Sequence, residues 1–230
     1  MSQTTITDFH GNTGTAGTAP ALSNITIPDA YRDRLETALA PHGTDDHVDS
    51  AGGDVVNVNV TTSIGHPIDI DQLVADTNWT THATRSNHGN ISFPATPGTI
   101  WLYPDGSVVL TGNLTASEIV DAVRMLHYRL RSLGVDTDWR PVTVRNVVVQ
   151  FDSVTGRDRL NLNAVAVGLD DVEYDPAVFS GVIYRDGDGD TCLLFANGET
   201  VVQGAGSTSE AVQRRDELVT RLDAYDLLDG

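Results

Sequence analysis

The feature that most constrains this chain is an internal duplication, in which the second half repeats, in order, the element signals of the stretch before it. The run Val55-Val56-Asn57-Val58-Asn59-Val60-Thr61-Thr62 alternates and is β-branched, so it reads as a strand. Val142 to Gln150 reads the same way, and Asn57 and Asn146 hold corresponding places 89 residues apart (146 − 57). Further on, Trp101 to Gly112 matches Leu193 to Gly204, each a strand, an Asp-Gly or Asn-Gly turn, and a second strand. Gly106 and Gly198 lie 92 residues apart (198 − 106), so the copies differ by only a few inserted residues. Each hairpin runs into a capping-box helix start, Thr115-x-x-Glu118 and Ser207-x-x-Glu210. The first helix then presents Ile119, Val123, Leu126, Leu130 and Leu133 as an apolar stripe; the second carries the thinner Ala211, Leu218, Leu222 and Tyr225. Strand, hairpin and capped helix twice over define an α+β fold of two tandem copies, from about Asp54 to Tyr225.

Residues 1–50 stand apart. They are rich in Thr, Gly, Asp and Ala with little apolar periodicity, and are expected to be largely disordered. One short helix is expected after Pro28-Asp29, where Tyr31, Leu35, Ala38 and Leu39 share a face; it either docks on the fold or binds a partner. The expected organisation is therefore an extension over 1–50, a first repeat over 51–138 and a second over 139–230.

Charge narrows the setting. Fourteen basic residues oppose thirty-two acidic ones for a net charge of −18, every basic residue is Arg, and Asp far outnumbers Glu. Short, strongly hydrated carboxylates without ammonium stems are a halophile's composition. Such acidity ordinarily argues against nucleic acid, but in molar salt the Debye length is only about 3 Å and the argument weakens. The chain has no apolar run near the ~20 residues that cross a bilayer, and its start lacks a basic segment followed by an apolar one. Its single cysteine, Cys192, forms no internal disulfide. A soluble, cytoplasmic protein without membrane contact is expected. Asp186-Gly187-Asp188-Gly189-Asp190 begins like a calcium loop, yet Thr191 and Asn197 stand where Gly and Glu are required. The seven histidines lack metal-ligand spacing, and no Ser-His-Asp set or phosphate loop can be assembled. No enzyme, cofactor or metal is expected.

In the second copy the pattern becomes specific. Tyr174-Asp175-Pro176-Ala177-Val178-Phe179-Ser180-Gly181-Val182-Ile183-Tyr184-Arg185, followed by Cys192 to Gly198, resembles the second-repeat signature of archaeal TATA-box-binding proteins. The resemblance implies a saddle: two pseudo-symmetric repeats forming a curved, ten-stranded antiparallel sheet with helices on the convex face. It implies that the concave sheet lies on the minor groove of A/T-rich promoter double-stranded DNA and bends it. Transcription factor B, and with it the RNA polymerase pre-initiation complex, would be the protein partners. Deformation is cheapest at A·T-rich sites with a flexible TA step. Acceptor-only A·T edges are what an Asn amide can read.

Carried onto this sequence, the resemblance implies that Asn57 and Asn146 are the central asparagines and Val148 an apolar groove contact. Phe179 and Phe195 would form the wedge pair of the second repeat, and Tyr103 would stand at a wedge position of the first. Leu193 and Val201 match apolar sheet contacts, Thr111 a groove-facing threonine, and Asp175 with Val178 the docking place of transcription factor B. The departures are informative. Between Arg85 and Phe93 the chain is shorter than the family pattern, leaving Phe93 as the one candidate for a second wedge there. Asn59 replaces an apolar contact, Gln203 a threonine, and Ser107 and Glu199 stand where a basic phosphate contact is usual. These departures support an alternative: an interaction module of the same fold that has lost productive DNA binding.

Overall fold

The computed structural model describes residues 28–40, 53–75, 89–91, 98–138, 140–153, 159–185 and 189–228. The duplication is visible in its element order. The first copy comprises β1 (Asp54–Ser63), α2 (Ile70–Ala75), β2 (Gly89–Ile91), β3 (Thr99–Leu102), β4 (Ser107–Gly112) and α3 (Ala116–Ser132). The second comprises β5 (Thr143–Phe151), α4 (Leu162–Gly168), β6 (Val172–Glu173), β7 (Val182–Arg185), β8 (Thr191–Leu194), β9 (Thr200–Ala205) and α5 (Thr208–Ala224). Helix α1 (Asp29–Ala38) precedes both. The chain divides into two compact units, one containing 60–143 and the other containing 144–230, with β1 changing membership at Val60.

Strands run β1-β4-β3-β2 in the first copy and β5-β9-β8-β7-β6 in the second, so each copy closes its hairpin back beside its opening strand. Nine strands form among the described residues, against ten expected. The counterpart of β6 would fall within 76–88, outside those residues, as do Phe93 and most of the extension expected to be disordered.

Both hairpins are built alike. Gly106 N–H donates to Tyr103 O and Tyr103 N–H to Ser107 O, each at 2.9 Å; Gly198, Phe195 and Glu199 repeat this at the same distances. Only the glycines adopt positive φ (+82° and +84°), whereas Asp105 and Asn197 do not. The Asp-Gly and Asn-Gly pairs therefore form three-residue turns ending in a left-handed glycine, rather than two-residue mirror-image turns. The side-chain oxygens of Asp105 and Asn197 each accept from the amide two residues on, at 2.9 and 3.1 Å.

In the second unit the core lies between one sheet face and two helices. Val147, Val149, Phe151, Val182, Tyr184, Cys192, Leu194, Val202 and Ala205 meet Leu162 and Val165 of α4 and Ala211, Leu218 and Leu222 of α5. Tyr225, expected on that stripe, is 60% exposed because the helix ends at Ala224 and Tyr225 is its cap. Arg215 takes a buried place instead, its guanidinium 5.1 Å above the Phe151 ring. In the first unit Ile119, Val123, Leu126 and Leu130 are buried as expected, while Leu133 caps the helix half-exposed. The capping box at Thr115 closes both ways. At Ser207 it closes on one side only, because Glu210 reaches past the cap to Gly206 N–H at 2.8 Å.

Helix α1 docks on the fold. Leu35 is buried, Leu39 packs against the second unit's core, and the Thr208 hydroxyl donates to Ala40 O at 2.6 Å. A network around the buried His127 and Thr137 anchors the end of α3: Arg131 Nε–H donates to the Thr137 hydroxyl oxygen at 3.0 Å, and that hydroxyl lies 2.8 Å from Nδ1 of His127. In the second unit Asp190, beside the acidic loop, forms an ion pair with Arg214, Oδ2 lying 2.8 Å from Nε, with both side chains largely buried. No group of metal ligands occurs among the described residues.

Candidate nucleic-acid interface

The sheet face turned away from the helices is set by alternation. Along β5, Val147, Val149 and Phe151 point into the core, which leaves Asn146, Val148 and Gln150 half-exposed on the other side. Strands β7, β8 and β9 alternate likewise, so Ile183, Leu193 and Val201 share that open face. The pairing register lines them into one row, Gln150 opposite Val201, Val201 opposite Leu193, Leu193 opposite Ile183. Val201, Leu193 and Ile183 thus form a half-exposed apolar strip.

Asn146 is held in one orientation. Between Val147 and Val149 the register with β9 slips, so β9 carries an extra residue there. Gly204 in that bulge has φ of +106° and donates its N–H to Asn146 Oδ1 at 2.8 Å. With the oxygen engaged, the amide offers its Nδ2 hydrogens to the open face.

At one margin Phe179 and Phe195 meet edge to face, with centroids 5.7 Å apart and planes at 68°. Both are half-exposed. Gly181 permits the arrangement: a Cβ there would lie 2.9 Å from the Phe179 ring and 3.1 Å from the Phe195 ring. Phe179 is positioned by the loop before β7, where Asp175 O accepts from Val178 and Phe179 N–H at 3.0 and 2.9 Å. The Asp175 carboxylate accepts from Ala177 N–H, and Val178 projects into solvent, 83% exposed.

Charge on this face is sparse. Arg185 and Glu173 bracket its outer edge and pair with each other at 2.7 Å. Glu199 is tied back to its own hairpin through Asn197 Nδ2 at 3.3 Å.

The first copy shows the same geometry with different chemistry. Asn57, Asn59, Thr61 and Ser63 of β1 are half-exposed between buried Val58, Val60 and Thr62. Thr111 pairs with Thr99, and Trp101 with Val109, on the corresponding side of β3 and β4. Tyr103 is half-exposed at the hairpin. Trp101 stands where Leu193 stands in the second copy, and sequence reading passed over it. The 92-residue offset that paired the glycines also pairs these two (193 − 101).

A duplicated antiparallel sheet, helix-covered on one side, with an apolar strip and an aromatic pair on the other in its second copy, defines a class of protein that binds through an open sheet face. Comparison with known proteins specifies it. Residues 141–225 match the family model described as transcription factor TFIID, or TATA-binding protein. The chain is 32% identical over 181 residues to the TATA-box-binding protein of Natronomonas pharaonis, covering 76% of this chain and 95% of that one. It is 33% identical over 180 residues to TATA-box-binding protein 2 of Haloferax volcanii, with the same shares covered. The solved structure of the Methanococcus jannaschii protein superposes with a TM-score of 0.67 at 23% identity, over 75% of this chain and 98% of that one, which shows the common fold. The chain belongs to the TATA-box-binding protein family, a family of transcription factors and not of enzymes.

Proposed function

We propose that the chain is an initiation factor that binds A/T-rich promoter DNA through the minor groove, bends it and recruits transcription factor B. The observation that carries this reading is the open face of the second unit: an oriented amide, an apolar row and a wedge pair on one surface. A·T pairs offer only acceptors, adenine N3 and thymine O2, in the minor groove. Asn146, its oxygen already engaged by Gly204, presents donors to them. Val148, Ile183, Leu193 and Val201 supply apolar contact with an opened groove. Phe179 and Phe195 enter a base step, at an unstacking cost of a few kcal/mol that the wider contact offsets. The two repeats, read as 51–138 and 139–230, act as halves of the family's curved saddle, with Asn57, Tyr103 and Thr111 serving the first half. Asp175 and Val178, exposed beside the wedge loop, form the place for transcription factor B.

A second reading rests on Glu199, an acidic residue where phosphate would pass. There the fold serves as an interaction module acting on other transcription proteins. Binding and bending of a TATA-containing duplex, followed by fluorescence in molar KCl with and without transcription factor B, separate the two. The wild type should bind and bend; Phe179→Ala with Phe195→Ala should lose the bend and most of the affinity. Absence of wild-type binding, or an unimpaired double variant, would refute the wedge mechanism and favour the second reading.

A further inference from the structure

We propose that Asn59 reads the 2-amino group of a guanine, so that this chain accepts a G·C pair at one base pair of its site. The inference rests on the minor-groove reading above and concerns its specificity. Asn59 stands in β1 between Val58 and Val60, both fully buried, and is itself half-exposed on the same side as Asn57. Its twin in the second copy, by the 89-residue offset that pairs Asn57 with Asn146, is Val148 (148 − 59). Val148 is half-exposed at the same place in its own strand. The two positions share geometry and differ in chemistry.

That difference bears on the one feature by which the minor groove separates base pairs. Guanine adds an N2 amino donor to a surface otherwise lined by acceptors. A valine in contact with the groove floor leaves that donor desolvated and unpaired, which costs binding. An asparagine carbonyl accepts from it. The orientation of the two amides decides which residue can do so. Asn146 is the poorer acceptor, because Gly204 N–H at 2.8 Å takes one lone pair of its Oδ1 and holds that oxygen towards β9. The Asn59 amide has no hydrogen-bond partner among the described residues, so its oxygen can turn to a guanine and its NH2 to an adjacent acceptor. Asn is depleted in strands, and in a β-branched run a valine would stabilise β1 better. Its presence there is explained by contact with a ligand.

The test uses the full-length chain in molar KCl and an A/T-rich duplex in which each base pair in turn is changed to G·C or inosine·C. Inosine lacks the 2-amino group and otherwise resembles guanine. The wild type should bind the G·C duplex within about twofold of the parent at one position, and Asn59→Val should bind it about tenfold more weakly there, a difference of about 1.4 kcal/mol. Inosine·C at that position should restore the variant. Valine is the residue of the twin strand and a good β former, so circular dichroism should show an unchanged fold. If A/T duplexes are bound and bent but the wild type penalises G·C equally everywhere, the Asn59 assignment falls and the minor-groove reading stands. An unchanged base profile in Asn59→Val has the same meaning. If no duplex binds at all, both fall together.

Discussion

Protonating His127 is expected to cost the first unit about 3 kcal/mol of stability. The imidazole is 1% exposed in the fourth turn of α3, with Nδ1 2.8 Å from the Thr137 hydroxyl and the Arg131 guanidinium bound to the same oxygen. Burial first, and then the neighbouring Arg131 charge, hold its pKa down from 6.5 to about 4. A group whose folded pKa is depressed contributes stability that is complete above the unfolded value and is lost as pH falls towards the folded one. The window is therefore pH 6.5 down to about 4. At about 1.36 kcal/mol per pH unit, that gap amounts to about 3 kcal/mol. Carboxylates also titrate near its lower end, so the measurement must be a difference. Denaturant unfolding at fixed KCl, at several pH values from 7.5 to 4, should give a steeper loss for the wild type than for His127→Leu. The two should diverge by up to about 1.36 kcal/mol per pH unit. Parallel profiles would mean that His127 is solvated or already charged, and the argument would fail. His66 has the opposite sign: the carbonyls of Pro67 and Asp136 raise its pKa, so its contribution is full below 6.5 and fades as pH rises beyond it.

Three further outcomes are expected. Gly106→Ala should destabilise by several kcal/mol, since its φ is +82° and a Cβ would lie 1.9 Å from His66 O. Gly134→Ala, at +77° with nothing within 4 Å, should cost only about 1 kcal/mol of backbone strain, and thermal melts compare the two. Asp190→Leu should cost about 2–3 kcal/mol by removing the close partner of the largely buried Arg214 and leaving it to the more exposed Glu217 at 3.4 Å, and Asp190→Leu with Arg214→Met should recover much of it in denaturant unfolding. DNA affinity should rise between moderate and molar KCl, because a chain of net charge −18 must take up cations to approach phosphate. Isotherms showing the usual steep fall would contradict this.

Much of the site was legible because its signals are local and duplicated. Asn57 and Asn146 stood out as polar residues at equivalent places in β-branched runs 89 residues apart, and the hairpin glycines fixed the 92-residue offset that aligns the hairpins and the helix starts. Trp101 was missed although the same offset finds it, because an aromatic in a strand reads as core until its face is known. Arg215 was missed for the converse reason: a cation on a helix reads as solvent-facing, and its burial is made tolerable by the Phe151 ring beneath it and by Asp216, 3.0 Å from its Nε. Gly181 carried no signal at all, since the two rings it admits come from residues 16 apart (195 − 179).

The sequence alone determined the duplication, the period-two alternation that separates a core face from an open one, the turn glycines and the helix starts. Each depends on neighbours within a few residues, where backbone geometry is dictated by side-chain type. Tertiary structure decided what depends on distant pairing. It fixed the slip between β5 and β9 that makes Gly204 hold the Asn146 oxygen, the register that lines up Gln150, Val201, Leu193 and Ile183, and the edge-to-face meeting of Phe179 and Phe195. It also decided that α1 docks on the fold, since Leu39 finds a surface there only once β5 to α5 have assembled their core.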